Sequence, residues 1–182
     1  MTNQSMNPVA AAAGMSSAAD GNSTAGGAAD DSLRQFVSFA IGDDQYGVDI
    51  MAVREIKGWS QITPLPRQPD YMRGVLNLRG IMVPIIDLRC RFGQGMTEAT
   101  QFHIVIVVQI GTRHVGLLAD RVLDIVGVEA SQIQPVPRVA QTSHADFLSG
   151  LMTIESGMIA LIDLSTLLSV SIGDGATIDA AA

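Results

Sequence analysis

The sequence predicts an all-β fold of two small closed barrels, related by internal duplication and packed about a pseudo-twofold axis. Three observations lead there. The chain repeats itself once, its apolar residues fall in short runs at strand spacing, and Gly and Pro interrupt those runs throughout.

The duplication is legible in three collinear blocks. Ile41-Gly42, Gly47, Val53, Glu55 and Ile56 return as Ile110-Gly111, Gly116, Val122, Asp124 and Ile125. Ser60-Gln61-Ile62-Thr63-Pro64-Leu65-Pro66-Arg67 returns as Ser131-Gln132-Ile133-Gln134-Pro135-Val136-Pro137-Arg138, with six of eight positions the same. The segment from Asp70-Tyr71-Met72-Arg73-Gly74 to Leu88 aligns without a gap on Asp146-Phe147-Leu148-Ser149-Gly150 to Leu164. The halves are therefore residues 34–100 and 101–170. Each is too short to bury much alone, so the two are expected to share a core.

The elements follow in order. Phe36 to Ile41 alternates as a half-buried strand, with Val37, Phe39 and Ile41 facing inward. Val75 to Leu78 and Ile81 to Ile86 flank an Arg79-Gly80 hairpin tip, and Leu151 to Ile154 and Met158 to Ile162 flank Glu155-Ser156-Gly157. Asp87 is placed to cap a short helix over Leu88 to Phe92, and Asp163 one over Leu164 to Leu168. Ile104 to Val108 is apolar on both faces, which predicts a central strand covered on each side. Met72, Met82, Met152 and Met158 lie inside apolar runs and are expected to fill the core.

Composition bounds the function. The chain has 182 residues, 47% apolar and 16% charged, with 11 Lys plus Arg against 18 Asp plus Glu. Residues 1–32 hold three Asp and no base, are otherwise mostly Ala, Gly, Ser, Asn and Thr, and read as a disordered tail before a domain at 33–170, with a second tail at 171–182. All the bases and all but five of the acids fall within 33–170. That near-balance leaves no basic face for a nucleic acid. No apolar run approaches the roughly 20 residues of a membrane helix. The N-terminus has no base before Arg34 and fails as a secretory signal, so a soluble, cytoplasmic protein is expected. One cysteine, Cys90, agrees with a reducing compartment.

No catalytic constellation emerges. His103, His114 and His144 lack metal-ligand spacing, so no metal is expected, and Gly93-Gln94-Gly95 lacks the rest of a phosphate loop. Cys90 lies between Arg89 and Arg91, whose charges would lower a thiol pKa, but a half-buried structural cysteine is the plainer reading. Asp87 and Asp163 read as helix caps rather than paired catalytic carboxylates. Arg79 stands apart, because the matching position in the second half is Glu155. The halves have diverged in charge there while keeping their apolar pattern, which fits a solvated tip and a recognition arginine equally well.

Tyr46-Gly47-Val48-Asp49-Ile50, Val53-Arg54-Glu55-Ile56, Arg73-Gly74-Val75-Leu76-Asn77-Leu78-Arg79-Gly80 and Val83-Pro84-Ile85-Ile86-Asp87-Leu88-Arg89 closely resemble the bacterial chemotaxis coupling family CheW. Val115-Gly116-Leu117-Leu118, Asp120, Val122 and the Gly150 to Leu168 segment extend the resemblance to residues 34–168. It implies two five-stranded barrels of the Src-homology-3 (SH3) kind and a non-enzymatic adaptor without cofactors. Such an adaptor links the cytoplasmic tips of chemoreceptors to the C-terminal domain of the histidine kinase CheA in arrays at the inner face of the membrane. Carried over by position, Val53, Glu55, Gly74, Arg79, Ile104 and Ile125 would line or support a receptor-binding groove. The short flanks favour a stand-alone adaptor over a fusion, monomeric when free. The alternatives are an adaptor of a non-flagellar chemosensory pathway and a small β-barrel hydrolase.

Overall fold

The computed structural model describes residues 33–137 and 145–173. The expected N-terminal tail, His144 and residues 174–182 of the expected C-terminal tail lie outside them. In chain order the elements are β1 (Leu33–Ile41), β2 (Asp44–Asp49), β3 (Val53–Gly58), β4 (Met72–Leu78), β5 (Ile81–Asp87), α1 (Leu88–Arg91), β6 (Ile104–Ile110), β7 (Arg113–Ala119), β8 (Arg121–Glu129), β9 (Leu148–Ile154), β10 (Gly157–Ile162) and α2 (Leu164–Gly173). They form two five-stranded sheets, β8-β1-β2-β10-β9 and β3-β6-β7-β5-β4.

Substituting each strand by its counterpart in the other repeat turns one sheet order into the other. The duplication therefore relates the sheets strand for strand. The sheets and the sequence halves do not coincide, however. The hairpin β1–β2 of the first repeat lies between β8 and β10 of the second, and β6–β7 of the second lies between β3 and β5 of the first. The pairs β2–β10 and β5–β7 are parallel, the rest antiparallel. Among the described residues the chain crosses between sheets twice, through the 3-10 turn Ile50–Ala52 and at Asp120.

Each sheet curls toward closure through the segment that leaves its edge strand. Beyond β3, Thr63 exchanges two backbone hydrogen bonds of 2.9 Å with Val75 of β4, the opposite edge. Beyond β8, Gln134 does the same with Leu151 of β9 at 2.8 Å. Gly74 makes room for the first of these returns. Its φ is +130°, and a Cβ there would lie 2.2 Å from the Thr63 carbonyl oxygen. Only glycine accommodates both.

Three apolar clusters fill the molecule. One barrel interior is Leu76, Val83, Ile85, Val105, Val107 and Leu118, and the other is Phe36, Val128, Met152, Ile159 and Leu161. Leu76 and Met152, Val83 and Ile159, Ile85 and Leu161, and Val105 and Phe36 are matching positions in the repeat. The largest cluster joins the two sheets, with Phe39, Ile41 and Val48 meeting Ile86, Ile106 and Leu117. The Asp87 and Asp163 caps hold helices against this shared core, where Leu88 and Leu167 are fully buried.

Ile104 to Val108 is covered on both faces as expected, with Ile106 in the shared core and Val105 in a barrel interior. β1 differs from the half-buried expectation. All of Phe36 to Ile41 is buried, because Phe36 faces a barrel interior while Val37, Phe39 and Ile41 face the shared core. Ser38 is tolerated there because its hydroxyl bonds the Asp124 carbonyl and amide at 2.9 and 3.0 Å. Met72 and Met152 pack inward, but Met82 and Met158 are exposed. Both occupy the solvent-side phase of the pleat next to inward Val83 and Ile159. The second hairpin turns on Glu155-Ser156, with Gly157 already in β10 opposite Ile154.

Asp163 accepts from the Ser165 and Thr166 amides at 2.9 and 3.2 Å and from the Thr166 hydroxyl at 2.7 Å. Partial burial pushes its carboxyl up, but these bonds outweigh it and hold the group below the usual carboxylate range. A lowered folded-state pKa contributes stability above the unfolded-state pKa and loses it as pH falls through the folded one. Asp163→Ala should therefore cost about 1 kcal/mol at neutral pH. Melting curves should show the gap to wild type closing in acid. The strand sharing makes a second prediction: fragments 34–100 and 101–170 should each lack a cooperative thermal transition, since the first hairpin of each has its partners on the other. A cooperative melt of either fragment as a monomer would contradict the shared-sheet arrangement.

Candidate functional site

Arg79 sits in the two-residue turn between β4 and β5, where Leu78 pairs with Ile81. Arg79 and Gly80 have φ of 53° and 91°, the left-handed pair that a tight hairpin requires. Asn77 fixes the turn by accepting from the Gly80 amide at 2.8 Å. A non-glycine residue in this region bears a steric cost, and the Arg79 side chain, 87% exposed, recovers nothing by packing. It pairs with Glu55 on β3, with Nη2 3.7 Å from Oε2. An exposed pair at that distance contributes little to stability, so both charges remain available to a partner.

Around this pair is a cleft of about 210 Å³, lined by Arg54 and Glu55 of β3, Leu78, Arg79, Ile81 and Val83 of the β4–β5 hairpin, Val107 of β6 and His114 of β7. Its walls are apolar and its rim is charged. Ile81, exposed by 53%, extends the apolar surface outward.

Of the six positions carried over from the resemblance, the structure brings Glu55 and Arg79 together in this cleft. Val53 lies two residues before Glu55 on β3, half-buried against the shared core. Gly74 has no side chain to offer and supports the hairpin by letting the Thr63 segment cross it. Ile104 pairs with Gly58 at the far end of β3 and packs on the shared core. Ile125 is on β8 of the other sheet, 54% exposed. Arg54, Ile81 and His114, which line the cleft, were not singled out as site residues in the sequence. Their common signal is register: His114 pairs with Gln109 next to β3, a relation that only the β3-β6-β7 order reveals.

The other candidates are occupied elsewhere. Asp87 is fully buried and accepts from the Thr97 amide and hydroxyl, the Cys90 amide and Arg73. Burial and the Asp87 and Asp70 carboxylates push the Cys90 thiol up, against the pull of Arg73 and Arg91, so this is not an activated nucleophile. The Arg91 guanidinium lies 4.4 Å from the ring centres of both Tyr71 and Phe147, matching positions in the two repeats. Asp120 binds the Gly42 amide and Arg89 across the junction of the sheets. Among the described residues, no group of three or more His, Cys, Asp or Glu could hold a metal ion. None of their helices is long and apolar enough to cross a membrane.

Residues 35–171 match the family model described as the CheW-like domain. A chemotaxis protein CheW of Rhizobium meliloti is 44% identical over 133 residues, covering 73% of this chain and 86% of that one. A CheW of Klebsiella aerogenes is 41% identical, covering 75% and 82%. The crystal structure of a CheW scaffolding protein from Thermoanaerobacter tengcongensis superposes with a TM-score of 0.69 at 32% identity, over 75% of this chain and 88% of that one.

Proposed function

Because the chain belongs to the CheW family of chemotaxis scaffolding proteins, we propose that it is a non-catalytic adaptor joining chemoreceptors to a histidine kinase. In this reading it works at the inner face of the membrane, where it holds the cytoplasmic tips of methyl-accepting receptors and the C-terminal domain of CheA in one array. The cleft around Glu55 and Arg79 carries the proposal. It presents a charged pair and apolar walls at a hairpin tip whose strained arginine serves no packing role. A receptor helical hairpin offers matching chemistry, since one helix face supplies aliphatic anchors and the flanks supply charge.

Adaptor work requires rigid surfaces held at a fixed separation. Sharing strands between sheets provides this, and the exposed apolar side chain Ile81 gives a docking partner area to bury. Catalysis would instead need a nucleophile, base or metal, whereas Asp87 and Asp163 are engaged in helix caps.

Arg79→Glu should abolish receptor-controlled kinase activation while leaving the thermal melt within a few degrees of wild type, because the tip contributes almost nothing to the core. Normal activation by this variant would remove the cleft from the coupling mechanism. The two quasi-equivalent sheets also give the adaptor two unlike ends, so contacts with a kinase domain of the same fold are heterologous and propagate. Mixed at concentrations on the order of tens of micromolar, where weak contacts populate, the chain and the kinase's C-terminal domain should scatter light as assemblies larger than a pair. A plateau at one-to-one stoichiometry would mean that only one end is used.

A further inference from the structure

Within the cleft, Arg54 is held by a neutral group and faces no anion. Its Nε donates to Gln109 Oε1 at 2.7 Å, and Gln109 donates from Nε2 to the Gly111 carbonyl at 2.7 Å. The second bond fixes which way the amide points, so its oxygen is the end turned to the guanidinium. Arg54 is thereby positioned without being neutralised. The one acid of the cleft, Glu55, is paired with Arg79, and among the described residues no carboxylate lies within ion-pair distance of Arg54. His114, on the strand beside Gln109, adds a further nitrogen base to the same lining.

This excess of cationic groups is not imposed by the fold. In the repeat, Arg54, Glu55, Arg79 and His114 correspond to Leu123, Asp124, Glu155 and Gln45. The matching surface of the other sheet therefore carries two carboxylates and no base. The contrast is sharper because the whole chain has a net charge of −7.

We infer that Arg54 is a partner-recognition residue that takes a carboxylate from the docking protein, carried beside an aliphatic side chain that seats on Leu78, Ile81 and Val83. A guanidinium already immobilised by an amide loses little rotamer freedom on binding and keeps its paired donors for a planar, two-oxygen anion. A carboxylate fits better than a more highly charged anion because Glu55 shares the cleft and repels excess charge. The inference rests on the cleft being the receptor-docking site and adds the chemistry of what enters it.

The test is the affinity of the full chain for a purified receptor signalling-tip fragment, measured across a salt series. Arg54→Gln should weaken binding about tenfold, the scale of one charge-assisted hydrogen bond, and flatten the salt dependence. Arg54→Lys should retain most of the affinity. Gln109→Glu is the decisive variant: it keeps the guanidinium in place but supplies an internal carboxylate, and it should weaken binding as Arg54→Gln does. If the wild-type chain binds the tip and neither Arg54→Gln nor Gln109→Glu changes affinity or salt slope, the inference fails and the adaptor reading survives. If the wild-type chain does not bind the tip, both fail. Salt-dependent self-association of the wild-type chain that Arg54→Gln removes, in place of tip binding, would assign the carboxylate to a second copy and overturn the inference.

Discussion

Where β2 runs alongside β10 and β7 alongside β5, the two repeats are joined by parallel backbone pairing, and the rest of the molecule is arranged around those two seams. Both need glycine. A Cβ on Gly47 would come within 3.0 and 3.2 Å of Leu161 and Ile159, and one on Gly116 within 2.4 and 2.7 Å of Ile85 and Val105. These glycines occupy matching positions in the repeat and point into the two barrel interiors. Their missing side chains leave room for the large residues of the neighbouring strands. The hairpin of one repeat can then be held between strands of the other, and the shared core between the sheets follows. The β4–β5 hairpin with Arg79 is brought to β3 by the closure between Thr63 and Val75.

The chemistry of the cleft follows from a division of labour between quasi-equivalent surfaces. Matching core residues are kept apolar across the duplication, because both barrel interiors face the same packing requirement. Matching surface residues are under no such requirement and have separated in charge, most plainly at Arg79 and Glu155. A scaffold built from two copies of one unit thereby presents two different faces at a fixed separation. An adaptor needs that property and an enzyme does not.

Much of the architecture was legible in the sequence because a duplication constrains both halves at once. The hairpins at Arg79-Gly80 and Glu155-Ser156 and the caps at Asp87 and Asp163 follow from local chemistry that tertiary context did not override. Strand sharing was not legible, since a repeat that closes on itself and one that exchanges hairpins bury the same residues with the same alternation. The exposure of Met82 and Met158 is not legible for a related reason. A run such as Ile81-Met82-Val83 is apolar throughout, and only the pleat, set by neighbours, decides which side faces water. The Glu55–Arg79 pair joins residues far apart in sequence, so resemblance could suggest it while spacing could not. Arg54 and His114 were readable only once β6 and β7 were known to lie beside β3.

The sharing of strands also has a consequence for assembly. Two separate copies of a single repeat, exchanging first hairpins in the same way, would form a domain-swapped pair with two identical ends. Joining the copies through the segment between α1 and β6 makes the exchange intramolecular and independent of concentration. It also frees the two ends from identity, so that Arg79 can stand at one end where Glu155 stands at the other.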